Sequence, residues 1–306
     1  MSISAVIATR NSSKTIVKCL TSIRESNRFS EVVVVDAHSK DATVKLANHF
    51  NVQVCMEWNQ GFFGAYNMGF ERTTSDYVMF IDSDAYLKGF DFARALTYFN
   101  DAKVGLVVCL ARAPVTNWVS KMVNAHWEWR MNEMKKYQLP SVKLKWTDRQ
   151  IAKFFMSKNI ASGATTTGPC YILRRSAVEK MGGINPRGDD FALRRMLENV
   201  GYVSRFYLSD SVYHVPRTSL NKLFLEYAHF GLRGAQISEN FFTRRERMVG
   251  LLMSVLSFAT APSIARFSRD PRQLFLVPAL RATQICGYIV GNLFLDEKPE
   301  KNYNAY

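Results

Sequence analysis

Two carboxylates, Asp82 and Asp84, close the apolar run YVMFIDSDA (77–85) two residues apart. In extended chain, residues i and i+2 point to one side. Anions held on one side repel unless a cation lies between them. Oxygen ligands of this kind suit a hard divalent ion, Mg²⁺ or Mn²⁺, bridging to the phosphates of a substrate diphosphate. An isolated Asp-x-Asp also caps helices and lines turns, so the elements around it decide the reading.

Those elements alternate. Short β-branched runs occur at 3–9, 31–36, 52–56, 77–82 and 104–110, separated by helix-like segments at 15–23, 42–50, 63–71 and 92–99. Strands alternating with helices of this length predict an α/β fold with a mostly parallel, Rossmann-like sheet and helices on both faces. Such sheets bind ligands beyond the carboxyl ends of their strands. Thr9, Asp36, Asp82 and Asp84 all fall at that edge.

Beyond 114 the alternation stops. Residues 117–137 have helical periodicity, with Trp118, Met122, His126 and Trp129 on one expected packing face. The basic stretch that follows, to about 160, shows no clear period. GPCYILRRSAVEKMGGINPRGDDFALRRMLENVGY (168–202) predicts a strand at 169–173, a helix from about 175 and a second helix starting near Asp190. Asp189 and Asp190 then sit at a helix N-terminus, where negative charge is favoured.

From about 219 the chain reads as helices. The long apolar runs 248–265 and 274–294 carry Pro262, Pro278 and Arg281, and RRER (244–247) and RFSRDPR (266–272) flank the first. Each run is near bilayer-spanning length, but neither is a clean span. Proline suggests broken or kinked helices, and basic flanks favour a surface-lying or re-entrant hairpin. The expected division is a catalytic domain at 1–235 and a membrane-associated helical segment at 236–306, held on the cytoplasmic face of the cell membrane. Core packing or dimerisation is the competing use of these runs.

The 306-residue chain is 47% hydrophobic, enough for a sizeable core. Its net charge of +14 suits an anionic membrane surface or phosphorylated substrates. No nucleic-acid signature accompanies that charge, so nucleic acid is not an expected partner. The five cysteines form no C-x-x-C pair and read as buried, reduced thiols. The N-terminus enters a strand-like run directly, without signal-peptide features.

Five blocks in order carry a resemblance: AVIATRN (5–11), VVVVDAHSKDAT (32–43), GFFGAYNMGFERTTSDYVMFIDSDA (61–85), residues 168–202, and YHVPRTSLNKLFLEYAHFGLRG (213–234). Over roughly 1–235 the chain resembles the family 2 glycosyltransferases, which have the GT-A fold and transfer sugar from a nucleotide-sugar donor with inversion. The resemblance implies that Ala8 and Thr9 contact the nucleoside and that Asp36 hydrogen-bonds the base, usually uracil. Asn67 and Arg72 lie in the segment that faces the nucleotide. It places Asp82 at the ribose or in support of the metal, and Asp84 on the metal. Asp190 falls at the catalytic base, Asp189 stands in place of the usual Glu on the acceptor side, and His214 lies near the metal or diphosphate. Asp-Ala-His-Ser (36–39) departs from the commoner Asp-Gly-Ser or Asp-Asn-Ser, which bears on the nucleobase. Ala85 follows Asp84 where some members have another acid.

The chemistry is consistent with these roles. A departing nucleoside diphosphate loads charge onto a phosphate oxygen, which a metal at Asp84 would stabilise. The attacking acceptor hydroxyl must lose a proton, which Asp190 can take. An acceptor that is already an anion, such as a polyprenyl phosphate, needs no base; a lipid-linked sugar or a polysaccharide does. Plainer readings exist: Asp190 as a helix cap, Asp36 as a turn residue, His214 as a packing histidine. Two other functions also compete. A sugar-phosphate nucleotidyltransferase would want a Gly-rich loop after the first strand, whereas ATRNSSKT (8–15) has no Gly. A non-catalytic nucleotide-sugar-binding protein would bind donor without turnover.

Overall fold

A computed structural model describes residues 2–58, 61–138, 168–207, 211–241, 255 and 257–294. The chain divides into two compact units, Met1–Arg112 with Thr166–Val215, and Ala113–Thr165 with Pro216–Tyr306. The expected boundary at 235 is one cut in sequence; by contacts, 113–165 groups with the C-terminal region.

The first unit is built on β1 (Ile3–Thr9), β2 (Glu31–Asp36), β3 (Gln53–Met56), β4 (Tyr77–Ile81), β6 (Val104–Cys109), β7 (Cys170–Arg174) and β8 (Val203–Tyr207). They form one sheet in the order β3-β2-β1-β4-β7-β6-β8. All pairings are parallel except those of β7, which runs antiparallel to both neighbours. The short strands β5 (Ala85–Leu87) and β9 (Val212–His214) pair separately and antiparallel. The helices of this unit are α1 (Ile16–Ser26), α2 (Thr43–Ala47), α3 (Phe62–Glu71) and α4 (Phe92–Thr97), followed by α6 (Arg175–Lys180) and α7 (Asp190–Asn199). β1 and β4 are buried at every position, as expected of strands covered on both faces. In α1, Ile16, Cys19, Leu20 and Ile23 are buried, the spacing of one apolar helix face. Each such aliphatic side chain contributes about 1.5–3 kcal/mol on burial.

Three differences from the sequence expectation matter. Asp82 to Asp84 is not extended chain. β4 ends at Ile81, and Ala85 N donates to Asp82 O at 2.9 Å, closing a tight turn into β5. The carboxylates therefore owe their proximity to a turn and not to strand alternation. Next, β5, β8 and β9 were not anticipated, because strands of three to five residues carry almost no period. Last, the thiols are not uniformly buried: Cys19, Cys109 and Cys170 are, Cys55 is half-buried, and Cys286 is exposed; all are free.

The second unit contains α5 (Trp118–Gln138), α8 (Leu220–Phe241), α9 (Ala261–Ser268) and α10 (Gln273–Phe294). The face expected on α5 is realised at Met122 and His126, which are buried, and at Trp129, which packs on Ala261, Ile264 and Val277. Trp118 departs from it: it is exposed, under the guanidinium of Arg272 at 5.4 Å. Helices α8 and α10 approach until their backbones touch. A Cβ on Gly231 would collide with Gln284 O, and one on Gly287 with Ala228 O. Small residues are what permit so close a helix pair. α10 is not broken at Pro278, which lies inside it and lacks the amide that would bond to Leu274 O. Pro262 instead begins α9 after a 3₁₀ turn at Ser257–Thr260, so the run 248–265 is not one helix. Its residues 248–254 and 256, together with Arg244, Arg245, Arg247 and the basic stretch 139–160, lie outside the described residues. Within α10, Gln273–Leu293 is long and apolar enough to cross a bilayer, with 22% of its window buried.

Candidate active site at the carboxyl edge of the sheet

The turn after β4 gathers three ligand groups. Asp84 Oδ1 lies 2.9 Å from His214 Nε2. One donor atom each from Asp82, Asp84 and His214 falls within 4.8 Å of the others, all half-buried. Local backbone explains why His214 arrives there. It stands opposite Ala85 in the β5–β9 ladder, and Val215 N donates to Asp84 O at 2.9 Å. Tyr86 stacks on Tyr213 in the next rung, rings 5.2 Å apart. Asp82 N donates to Pro169 O at 2.8 Å, and Ser83 Oγ lies 2.8 Å from Ser12 Oγ. The turn is thus tied to the approach to β7 and to the loop after β1.

Two carboxylates and an imidazole fit a divalent ion. Metal–ligand distances of about 2.0–2.1 Å for Mg²⁺ allow ligand atoms up to roughly 4.2 Å apart across the ion, close to the spacing present. The oxygen pair suits either ion, and the imidazole nitrogen suits Mn²⁺ better than Mg²⁺. The same negative charge acts on Cys19. Its thiol is pushed far up by burial, then by Asp84 and Asp82, so it is no nucleophile here.

Beneath the turn lie two buried phenols. Tyr66 donates to Asp82 Oδ1 at 2.8 Å. Burial pushes Tyr66 well above its usual range, and the charges of Asp82 and Asp190 add to this. Tyr171 is raised by burial, then by Asp190 and Asp82. Its buried hydroxyl makes no hydrogen bond to either carboxylate. Both phenols therefore sense Asp82 and Asp190 together.

Asp189, not Asp190, is the cap of α7: its Oδ1 accepts from Ala192 N at 2.9 Å. Asp190 occupies the first helical position, so the plainer reading of it as the cap is filled by its neighbour. One turn on, Arg194 is pushed down to about 10 by burial, opposed by Glu198 and Asp190.

At the β1 and β2 ends, Thr9 and Asp36 are register partners, and Ala37 N donates to Thr9 O at 2.8 Å. Ala8, one residue back in β1, is buried. Thr9 Oγ1 is buried without a hydrogen bond. Asp36 is wholly buried. Its Oδ2 accepts from Ser39 N at 2.8 Å and its Oδ1 from Ser39 Oγ at 2.5 Å. It holds the turn after β2 and is closed to solvent in this conformation. The loops after β1 and β2 are stitched by Asn11, which donates to Ser39 Oγ and accepts from Lys40 N, each at 2.8 Å.

Asn67 and Arg72 have protein partners in and beside α3. Asn67 donates to Glu71 and accepts from Ile184 N, both at 2.8 Å. Arg72 donates to Met68 O at 3.1 Å and lies 5.6 Å from the ring of Trp58, itself 64% exposed. Tyr66, Tyr171 and Trp58 escaped the sequence reading. The two tyrosines look like core aromatics in apolar segments, and nothing in their spacing marks the hydroxyls.

The profile of glycosyl transferase family 2 matches residues 4–182. The chain belongs to that family. Over 77 residues it is 38% identical to the SPbeta prophage-derived glycosyltransferase SunS of Bacillus subtilis (strain 168). That match covers 24% of this chain and 18% of SunS, so it spans less than a fifth of the relative's length. Among solved structures, the mannosyltransferase PcManGT from Pyrobaculum calidifontis, in complex with GDP-Man and Mn²⁺, superposes with a TM-score of 0.63 at 17% identity, covering 96% of this chain and 88% of that one. Glucosyl-3-phosphoglycerate synthase from Mycobacterium tuberculosis, with Mn²⁺, UDP and glucosyl-3-phosphoglycerate, gives 0.51 at 18% identity, covering 78% and 80%. S. aureus TarS 1-349 with UDP-GlcNAc gives 0.50 at 15% identity, covering 95% and 90%. At these identities the likeness establishes the fold, which is GT-A.

Proposed function

We propose that the protein is a metal-dependent, inverting glycosyltransferase that moves a sugar from a nucleotide-diphosphate sugar, a UDP-sugar first, to a lipid-linked or polysaccharide acceptor. The observation that carries this reading is the convergence of Asp82, Asp84 and His214 at the carboxyl edge of a GT-A sheet. Mn²⁺ or Mg²⁺ held there would supply Lewis-acid stabilisation to the leaving diphosphate. Asp84 and His214 would ligate it, with Asp82 completing the set or meeting the ribose. The unsatisfied Thr9 hydroxyl, beside Ala8, supports a nucleoside contact at the β1 end. Asp190, relieved of capping by Asp189, would take the proton of an acceptor hydroxyl. Asp189 orients that helix start toward the acceptor side. Asn67 and Arg72 act at one remove, holding the segment that borders the nucleotide.

Similar structures hold GDP-Man in one case and UDP-GlcNAc in another, so the decisive assay is a panel. Full-length protein is mixed with UDP- and GDP-sugars, with Mn²⁺ or with excess chelator, and melting temperature and donor hydrolysis are followed. A bound donor raises the melting temperature through linkage. Turnover should require metal, and Asp84→Ala should abolish it without unfolding the chain. Undiminished turnover in excess chelator would sink the reading; release of pyrophosphate would point to the nucleotidyltransferase alternative.

Attachment to the cytoplasmic membrane face is part of the same proposal. It is supported by apolar side chains left exposed on α10, Phe275 at 79% and Leu293 at 66%. Arg266 and Arg269 lie at the C-terminal end of α9, and such charges near an anionic leaflet contribute roughly 1 kcal/mol each; Arg272 is paired with Asp270 at 2.6 Å.

A further inference from the structure

Tyr66 is wholly buried, and its hydroxyl donates to Asp82 Oδ1 at 2.8 Å. Its ring is caged by Phe62 (centroids 4.6 Å apart), Phe63 (5.8 Å), Phe80 (4.7 Å) and Tyr171 (5.8 Å), all edge-on or nearly so. Phe80 belongs to β4, two residues before Asp82, so the strand that carries the carboxylate also grips the ring. A ring packed on this many sides at interior density has little rotamer freedom. Its hydroxyl is a donor fixed in space, and the carboxylate that accepts from it is turned accordingly. Asp82 follows the last residue of β4 and begins the turn into β5.

We infer that Tyr66 is a positioning residue for the cation site: its hydroxyl sets the plane of the Asp82 carboxylate so that the carboxylate faces Asp84 and His214. The inference rests on the cation reading above and deepens it. Groups that hydrogen-bond metal-ligating carboxylates tune affinity without touching the ion. Tyr171 provides the contrast. It lies in the same cage and is also buried, but its hydroxyl makes no hydrogen bond to Asp82, Asp84 or His214, so removing it takes no partner from the cation ligands.

The test uses full-length protein and Mn²⁺ alone, without donor, with free Mn²⁺ followed by electron paramagnetic resonance. Tyr66→Phe should weaken Mn²⁺ binding about tenfold, while melting falls only by the few degrees that one lost hydrogen bond accounts for. Tyr171→Phe should bind Mn²⁺ within about twofold of wild type, since its hydroxyl holds no ligand, and melt no lower. The inference is overturned if Tyr66→Phe binds Mn²⁺ like wild type, or if both variants weaken binding alike, which would make the effect one of aromatic packing. Failure of the cation reading itself looks different: wild type would then not bind Mn²⁺ before any substitution is made.

Discussion

Around Asp82 and Asp84 several polar side chains are committed to one another. Tyr66 serves Asp82, His214 faces Asp84, and Ser12 meets Ser83. Along part of the α8–α10 pair the helices meet at glycines, with Gly231 against Gln284 and Gly287 against Ala228. The outer positions of α10 are large and apolar. The first region fixes directions, because hydrogen bonds and ion pairs weaken steeply with angle and distance. The second fixes only proximity, because backbone contact between helices is set by the absence of bulk. A site that must aim lone pairs at a charge needs the former. A surface that has only to remain apolar can be built from the latter.

The comparison can be broken at its directional end first. Asp190→Asn keeps size and helix position but cannot accept a proton. Turnover with a hydroxyl acceptor should fall by about two to four orders of magnitude, with Mn²⁺ affinity and donor affinity nearly unchanged. Nearly normal turnover would mean that the acceptor is itself an anion, or that Asp190 takes no proton.

The non-directional end predicts a smaller effect, read on a different instrument. Phe275→Glu alters a side chain that is 79% exposed, so the fold should be kept. Flotation of the full chain with vesicles of anionic phospholipid should weaken about tenfold or more, the value of one phenyl group entering an apolar phase. If the variant floats like wild type, this face of α10 is not what meets the lipid.

The smallest effect separates two adjacent acids. Asp189→Ala removes the bond to Ala192 N and should cost about 1 kcal/mol of stability, read as a lowered denaturation midpoint, with Mn²⁺ binding untouched. A loss of turnover by orders of magnitude at that modest cost would move Asp189 from capping to chemistry on the acceptor side.

Much of the first unit was readable in one dimension. The strands at 3–9, 31–36 and 77–82 and the helix starting near Asp190 emerge at nearly the expected residues, because buried parallel strands are continuous apolar runs and helix faces repeat. Residues at strand ends fall on one edge once the strands are parallel, so Thr9 and Asp36 become register partners. His214 was placed only by resemblance. No spacing connects it to Asp84, 130 positions away, since β9 is three residues long and pairs with β5 through long-range contact.

What the sequence by itself determined was therefore the kind of sheet, the edge that carries chemistry, and the two acids that begin the site. These depend on local period and on chain direction. Only the tertiary structure decided which acid caps α7, that Asp36 is sealed inside its own turn, that Asp82 and Asp84 meet through a turn, and that Tyr66 reaches Asp82. Each of these is a hydrogen-bond assignment among several near partners, and which partner wins is set by packing that places donor and acceptor within about 3 Å, not by their separation along the chain.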